Sequence, residues 1–69
     1  MNIFISRLKE LLSTSDKLQV EICKDLNISK QKLSNWKSGY SEPNLDDLML
    51  VATYFNVTID YLLGLNNDF

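Results

Sequence analysis

The sequence predicts an all-α bundle of five short helices, and three observations carry that expectation. Apolar residues recur at helical spacing along most of the chain, and no stretch shows strand-like alternation of useful length. The breaks between these segments hold residues suited to ending and starting helices: Asn27 then Ser29, Gly39 then Asn44, and Asn56 then Thr58. Between Asp16 and Gly39, two of the segments are separated by so few residues that the helices cannot lie parallel. Sixty-nine residues bound the chain to one small domain, residues 1–69. A domain of this size buries only about 60% of its unfolded surface, so its stability is modest and a partner subunit would add to it.

The first helix starts at Asn2, a good N-cap, and runs about ten residues with Phe4, Leu8, Leu11 and Leu12 on one face. Ser13 to Asp16 is a polar connector. Asp16 with Gln19 three residues on forms a D-x-x-Q capping arrangement for the second helix, in which Leu18, Ile22 and Leu26 make the apolar face. Asn27 tolerates the left-handed conformation that closes a helix, Ser29 caps the next, and the third helix runs from Lys30 until Gly39 stops it. Residues 16–39 therefore have the spacing of a helix-turn-helix. Tyr40 to Pro43 is a turn, after which Asn44 caps a fourth helix whose first turn carries Asp46 and Asp47, where the helix dipole favours acids. Leu45, Leu48, Met49, Ala52 and Phe55 follow the helical period and are expected in the core. Asn56 ends that helix, Thr58 caps a fifth, and Gly64 ends it. Val57 and Leu62 sit at the staple positions N′ and N4. The fourth and fifth helices thus occupy about 44–64.

The third helix is the informative one. At about 100° per residue, Leu33 and Trp36 fall together on the inward side. Gln31 and Asn35 land opposite, one turn apart, flanked by Lys32 and Ser34, with no carboxylate between Ser29 and Gly39. Gln and Asn bond adenine bidentately in the major groove, and Lys reaches phosphate or guanine. A solvated helix face is the competing explanation of the same residues.

Composition excludes several classes. The hydrophobic fraction of 45% argues against disorder. No apolar run approaches the ~20 residues of a membrane span, and the N-terminus lacks the pattern of a secretory signal, so a cytoplasmic location is expected. With one cysteine, Cys23, and no histidine, an internal disulfide and the usual zinc sites are excluded, and Cys23 reads as a small buried hydrophobe. No histidine serves a nucleophile and no Gly-rich phosphate loop appears, so no enzyme, cofactor or small-molecule ligand is expected.

The net charge of −2 is an objection to a nucleic-acid partner, and the distribution of charge answers it. From Lys24 through Ser38 the acid Asp25 faces Lys24, Lys30, Lys32 and Lys37. From Gly39 onward there is no base, and Glu42, Asp46, Asp47, Asp60 and Asp68 are acidic. The chain is polarised into a basic edge and an acidic remainder, which predicts modest, salt-sensitive DNA affinity.

The run LNISKQKLSNWKSGYSEPNLDDLMLVATYFNVTIDYLLG resembles the phage-repressor/Cro-type helix-turn-helix domain. The shared elements are Leu-x-Ile-Ser, Leu-Ser-x-Trp, a Gly, Glu-Pro-x-Leu-x-x-Leu and Tyr-Leu-Leu-Gly, and with FISRLKELL they cover nearly the whole chain. The resemblance implies a lambda-repressor-like DNA-binding domain and a sequence-specific transcriptional regulator, a repressor, that binds double-stranded DNA as a homodimer. It implies that the third helix enters the major groove, with Lys30, Gln31, Lys32 and Asn35 at positions meeting base edges or adjacent phosphates, and Gln19, Lys37, Ser38 and Tyr40 at phosphate positions. Three departures stand out. Leu18 occupies the position of a capping Thr, and Glu42 a position where bases often hold phosphate. Lys37 stands where an acid often pairs with the position of Arg7, so Arg7 needs another carboxylate or a phosphate. The symmetric-dimer expectation places apolar Ile59, Leu63, Leu65 and Phe69 at the contact. An adaptor that uses the same fold to bind protein, through its acidic half, is the alternative reading.

Overall fold

The computed structural model describes residues 2–66, with side chains from Ile3 onward. Five helices follow one another: α1 (Asn2–Thr14), α2 (Gln19–Leu26), α3 (Lys30–Ser38), α4 (Leu45–Phe55) and α5 (Ile59–Leu62). There is no strand among the described residues. The expected cap of Asn2 and the expected packing of Phe69 fall on side chains outside the described residues.

α1 is longer than its apolar stripe requires. The Ser13 and Thr14 hydroxyls donate back to the Glu10 carbonyl at 2.9 and 3.0 Å, which carries the helix through the residues expected to be a connector. α2 begins at Gln19, and the Asp16 capping arrangement does not form. Leu18 is the N-cap in extended backbone (φ −69°, ψ 151°) with no side-chain cap bond. This also removes Leu18 from the apolar face: the residue before a helix does not share its period, and Leu18 is 66% exposed. The other caps form as their chemistry dictates. The side chains of Ser29, Asn44 and Thr58 accept from the backbone N–H groups of Lys32, Asp47 and Tyr61. Asn27 and Asn56 close α2 and α4 in the left-handed region, at φ 57° and 56°. Gly39 closes α3 at φ 81°, a conformation that costs an L side chain about 1–2 kcal/mol.

α1 packs against α3 and α5, α4 against α5 and α2, and α2 against α3. The shared core holds Phe4, Leu8, Leu12, Ile22, Cys23, Leu26, Leu33, Trp36, Leu48, Val51, Ala52, Tyr61 and Leu62. Trp36 stands at its centre, edge-to-face on Phe4 with ring centroids 6.4 Å apart. Ile28, Leu11, Phe55 and Val57 pack half-buried around the rim, and Cys23 is buried as a hydrophobe. The expected core of α4 needs correction. Leu45 and Met49 are exposed, and Val51 lies fully buried in their stead. α4 carries apolar residues over more than one arc, and the arc that turns inward is the one that α2 and α5 can cover. Among the described residues, no helix is long and apolar enough to cross a membrane.

Candidate nucleic-acid interface

α3 has Leu33 and Trp36 buried, Asn35 and Lys37 half-buried and its other residues exposed. That surface divides into three strips. The outermost carries Gln31, Asn35 and Ser38. Gln31 Nε2 donates to Asn35 Oδ1 at 2.8 Å, joining the two amides one turn apart. Ser38 does not reach outward with its hydroxyl alone: its Oγ donates to the Asn35 carbonyl at 3.2 Å and accepts from the Tyr40 N–H at 3.4 Å, closing the turn after the helix. Tyr40 itself is 83% exposed.

The second strip faces α2. Lys30, Ser34 and Lys37 line one wall of a cleft of about 290 Å³, with Gln19 and Val20 opposite and Leu33 and Cys23 at its floor. Lys37 Nζ donates to Gln19 Oε1 at 2.8 Å, tying the end of α3 to the start of α2. The bond uses one of three ammonium hydrogens and leaves both Nε2 hydrogens of Gln19 free, so the clasp still presents donors to an anion. Ser34 and Val20 are absent from the sequence-based site set. The signal for Ser34 was its spacing, one turn on from Lys30 and one turn before Lys37. Val20 gave none, because only the packing of α2 on α3 brings it there.

The third strip faces α4, and here the structure separates Lys32 from the other lysines. Its ammonium pairs with Asp47 at 3.4 Å and sits 5.6 Å from the Trp36 ring centroid. Of the four residues assigned to base edges, Gln31 and Asn35 are adjacent, Lys30 lies on the α2 side, and Lys32 leans towards α4. Lys30 and Lys32 also stand in the first turn of a helix whose dipole disfavours cations there and which holds no acid in that turn, and Asp47 of α4 offsets Lys32.

Two features support the strips from behind. Arg7, which lacks the acid at position 37, lies over the Tyr61 ring at 4.3 Å and so joins α1 to α5. Asp25, the acid nearest the basic stretch in sequence, is engaged: Lys17 Nζ and Tyr54 Oη both donate to its Oδ2, at 2.8 and 2.6 Å. The hydrogen bond from Lys17, then that from Tyr54, holds the Asp25 carboxyl below the usual carboxylate range. The same contacts raise Lys17 and Tyr54 above their ordinary values, chiefly through Asp25.

Comparison with known proteins agrees with this architecture. A family model described as Helix-turn-helix matches residues 8–62. The HTH-type transcriptional regulator ImmR of Bacillus subtilis (strain 168) is 40% identical over 58 residues, which is 84% of this chain and 46% of that protein. The HTH-type transcriptional activator BcrR of Enterococcus faecalis is 33% identical over 61 residues, 88% of this chain and 30% of that protein. The chain therefore spans less than half the length of either relative. No solved structure matches. With the paired helices α2 and α3 held over a common core and the family model covering most of its length, the chain belongs to the helix-turn-helix family.

Proposed function

We propose that residues 1–69 act as one DNA-binding domain of a transcriptional regulator, a repressor that recognises a specific duplex sequence through α3. The observation that carries this reading is the division of the α3 surface. A two-amide strip suited to base edges runs beside a cationic cleft suited to phosphate, formed by Lys30, Lys37, Ser34 and Gln19. Phosphate contacts position a protein on DNA and base contacts specify the sequence, and the two strips supply one of each. Tyr40 and Ser38, at the turn beyond α3, extend the phosphate side. The names of ImmR and BcrR, regulator and activator of transcription, support the regulatory part. Within this proposal repression is the simplest outcome of binding, since a bound domain would occlude a promoter duplex.

One helix-turn-helix touches few base pairs, so a homodimer on a two-fold site is part of the reading, with half-sites about one helical turn apart. Leu65, 74% exposed just beyond α5, supports a contact at that end, whereas Ile59 and Leu63 are largely used by the chain's own core.

Selection of bound sites from random duplexes tests the function. Recovery of a shared half-site with two-fold spacing supports it, and failure to enrich any sequence refutes it. A second reading, a protein-binding adaptor, draws on exposed Leu45, Met49 and Asp46 on α4. Passage through a DNA column at low salt would favour the adaptor. Retention, with release as salt rises, favours the DNA reading.

A further inference from the structure

α4 presents an apolar face that its own chain leaves uncovered. Leu45, Asp46, Met49, Leu50 and Thr53 are all exposed, and at about 3.6 residues per turn they form one continuous strip along the helix. Leu45 and Met49 are more than half exposed and Leu50 nearly so. The strip is acidic at its head. Asp46 lies within it, Glu42 is exposed in the turn before it, and no base occurs from Gly39 onward. Apolar side chains gathered on one face and edged by charge mark an interaction surface, unlike apolar residues scattered singly.

The cleft between α2 and α3 has the opposite charge and a similar apolar content. Leu33 and Cys23 form its floor and Val20 part of one wall, the Lys30 and Lys37 ammonium groups stand at its rim, and no carboxylate lines it. A phosphate would engage the rim and leave the apolar floor unused. An apolar side chain with an acid beside it would engage both. At about 290 Å³ the cleft lies just below the size of most small-molecule pockets, about 300–1,000 Å³, and suits the side chains of another protein. Within one chain α3 separates the two surfaces: its cleft side faces α2, and on its other side Lys32 pairs with Asp47 of α4. Pairing the α4 strip with its own copy about a two-fold axis would set acid beside acid with no base to offset them. Pairing it with the cleft of a second copy matches apolar with apolar and acid with ammonium.

We propose that the outer face of α4 docks in the α2–α3 cleft of a second copy of this chain. Met49 and its apolar neighbours cover Val20, Cys23 and Leu33, and Asp46 meets the ammonium groups of Lys30 and Lys37. The contact is heterologous, so every chain keeps one surface of each kind open and association continues past the dimer. It is separate from the two-fold contact proposed beyond α5, which uses neither surface. The association does not need the DNA-binding reading. Where that reading holds, the cleft serves either a duplex or a second chain, so self-association withholds chain from DNA as concentration rises.

Sedimentation equilibrium of the full chain without DNA, up to about 1 mM, tests the contact, since interfaces of this small class bind weakly. The wild type should associate beyond the dimer. Raising salt from about 50 to about 500 mM, which screens exposed charges, should weaken the association. One variant, Asp46→Asn with Met49→Ser, spoils the α4 face and keeps the cleft. A second, Lys30→Glu with Ser34→Glu, spoils the cleft and keeps the α4 face. All four positions are exposed, and circular dichroism checks that both variants fold. Each variant alone should associate about ten-fold more weakly or worse, through the loss of apolar contact or of charge attraction. An equimolar mixture should recover association, because each mixed pair has one intact contact to make, and that contact should carry it no further than pairs.

A wild type that stays monomeric or stops at a dimer overturns the proposal. So does a mixture that associates no better than the separate variants. On a duplex that the wild type binds, the association should dissolve, and its persistence there would overturn the shared use of the cleft. A chain that binds no duplex yet passes the mixing experiment would overturn the DNA-binding reading alone and leave the head-to-tail contact standing.

Discussion

Lys37→Gln should reduce the salt dependence of DNA binding by one phosphate's worth, and Lys30→Gln should do the same. Both ammonium groups stand at the cleft between α2 and α3, and among the described residues no carboxylate lines that cleft. Each neutralised phosphate contributes about −0.9 to the slope of log affinity against log salt. Between 50 and 200 mM salt, a four-fold change, a slope lower by about 0.9 means roughly 3.5-fold less affinity lost. Lys30 is exposed, so its replacement should move stability by no more than about 0.5 kcal/mol, whereas Lys37 is half-buried and gives up its hydrogen bond to Gln19, at about 0.5–1.5 kcal/mol. Lys32 is the internal control. Read from the sequence it ranks with the other two, but its pair with Asp47 directs it to α4. Removing the pair as a whole, by Lys32→Gln with Asp47→Asn, avoids stranding a carboxylate near the duplex and should change the slope by well under half as much. Lys17→Gln, which loses a partner of Asp25 rather than of DNA, should do likewise. The assay is fluorescence anisotropy on the selected duplex at a series of salt concentrations. Equal reductions at all four lysines, or a larger one at Lys32 than at Lys30 and Lys37, would refute the division of α3 into strips.

Other consequences are simpler to state. Trp36→Ala, which empties a site only 2% exposed, should cost about 3–5 kcal/mol, a large share of a whole stability on the order of 3–10 kcal/mol. Circular dichroism melts would show the loss, and a melting temperature close to that of the wild type would disprove the central place of Trp36. Gly64→Ala should lower the melting temperature, because Gly64 lies at φ 77° and an added Cβ would come within 2.5 Å of Ile3 Cγ2. A further Ile3→Ala change should relieve the contact but not the backbone strain. For pH, the depressed Asp25 adds stability above the ordinary carboxylate range, which is lost as pH falls through its folded value. The raised Lys17 and Tyr54 add stability below their ordinary values, lost as pH rises through their folded ones. The effect should be small because the cluster is exposed, and Asp25→Asn should flatten both limbs of melting temperature against pH. On the selected site, sedimentation showing one chain per duplex would remove the homodimer from the reading.

Much of the fold was legible because it is local. Ser29, Asn44 and Thr58 cap helices through bonds that span three residues, and Asn27, Asn56 and Gly39 end them through their own backbone angles, so no distant partner is needed. Phe4, Leu8, Ile22, Leu33 and Trp36 were readable as core from spacing alone. The mistakes fall where two local solutions compete. Asp16 was able to cap α2, but the chain instead enters through Leu18, with the Lys17 N–H bonded to Ser15 Oγ and the Lys17 side chain drawn to Asp25 and Tyr54. On α4, two arcs satisfied the helical period, and the neighbours that chose between them lie elsewhere in the sequence.

The site divides in the same way. Gln31 and Asn35 are four residues apart on one helix, so their partnership was already determined by the sequence and the 3.6-residue turn. The cleft that joins Lys30, Ser34 and Lys37 to Gln19, the turning of Lys32 to Asp47, and the seating of Arg7 on Tyr61 depend on side chains that meet across helices. Helical period places a residue on a face. Only the packing of the helices decides what that face meets, because the angle and distance between two helices are set by the whole core and not by either segment alone.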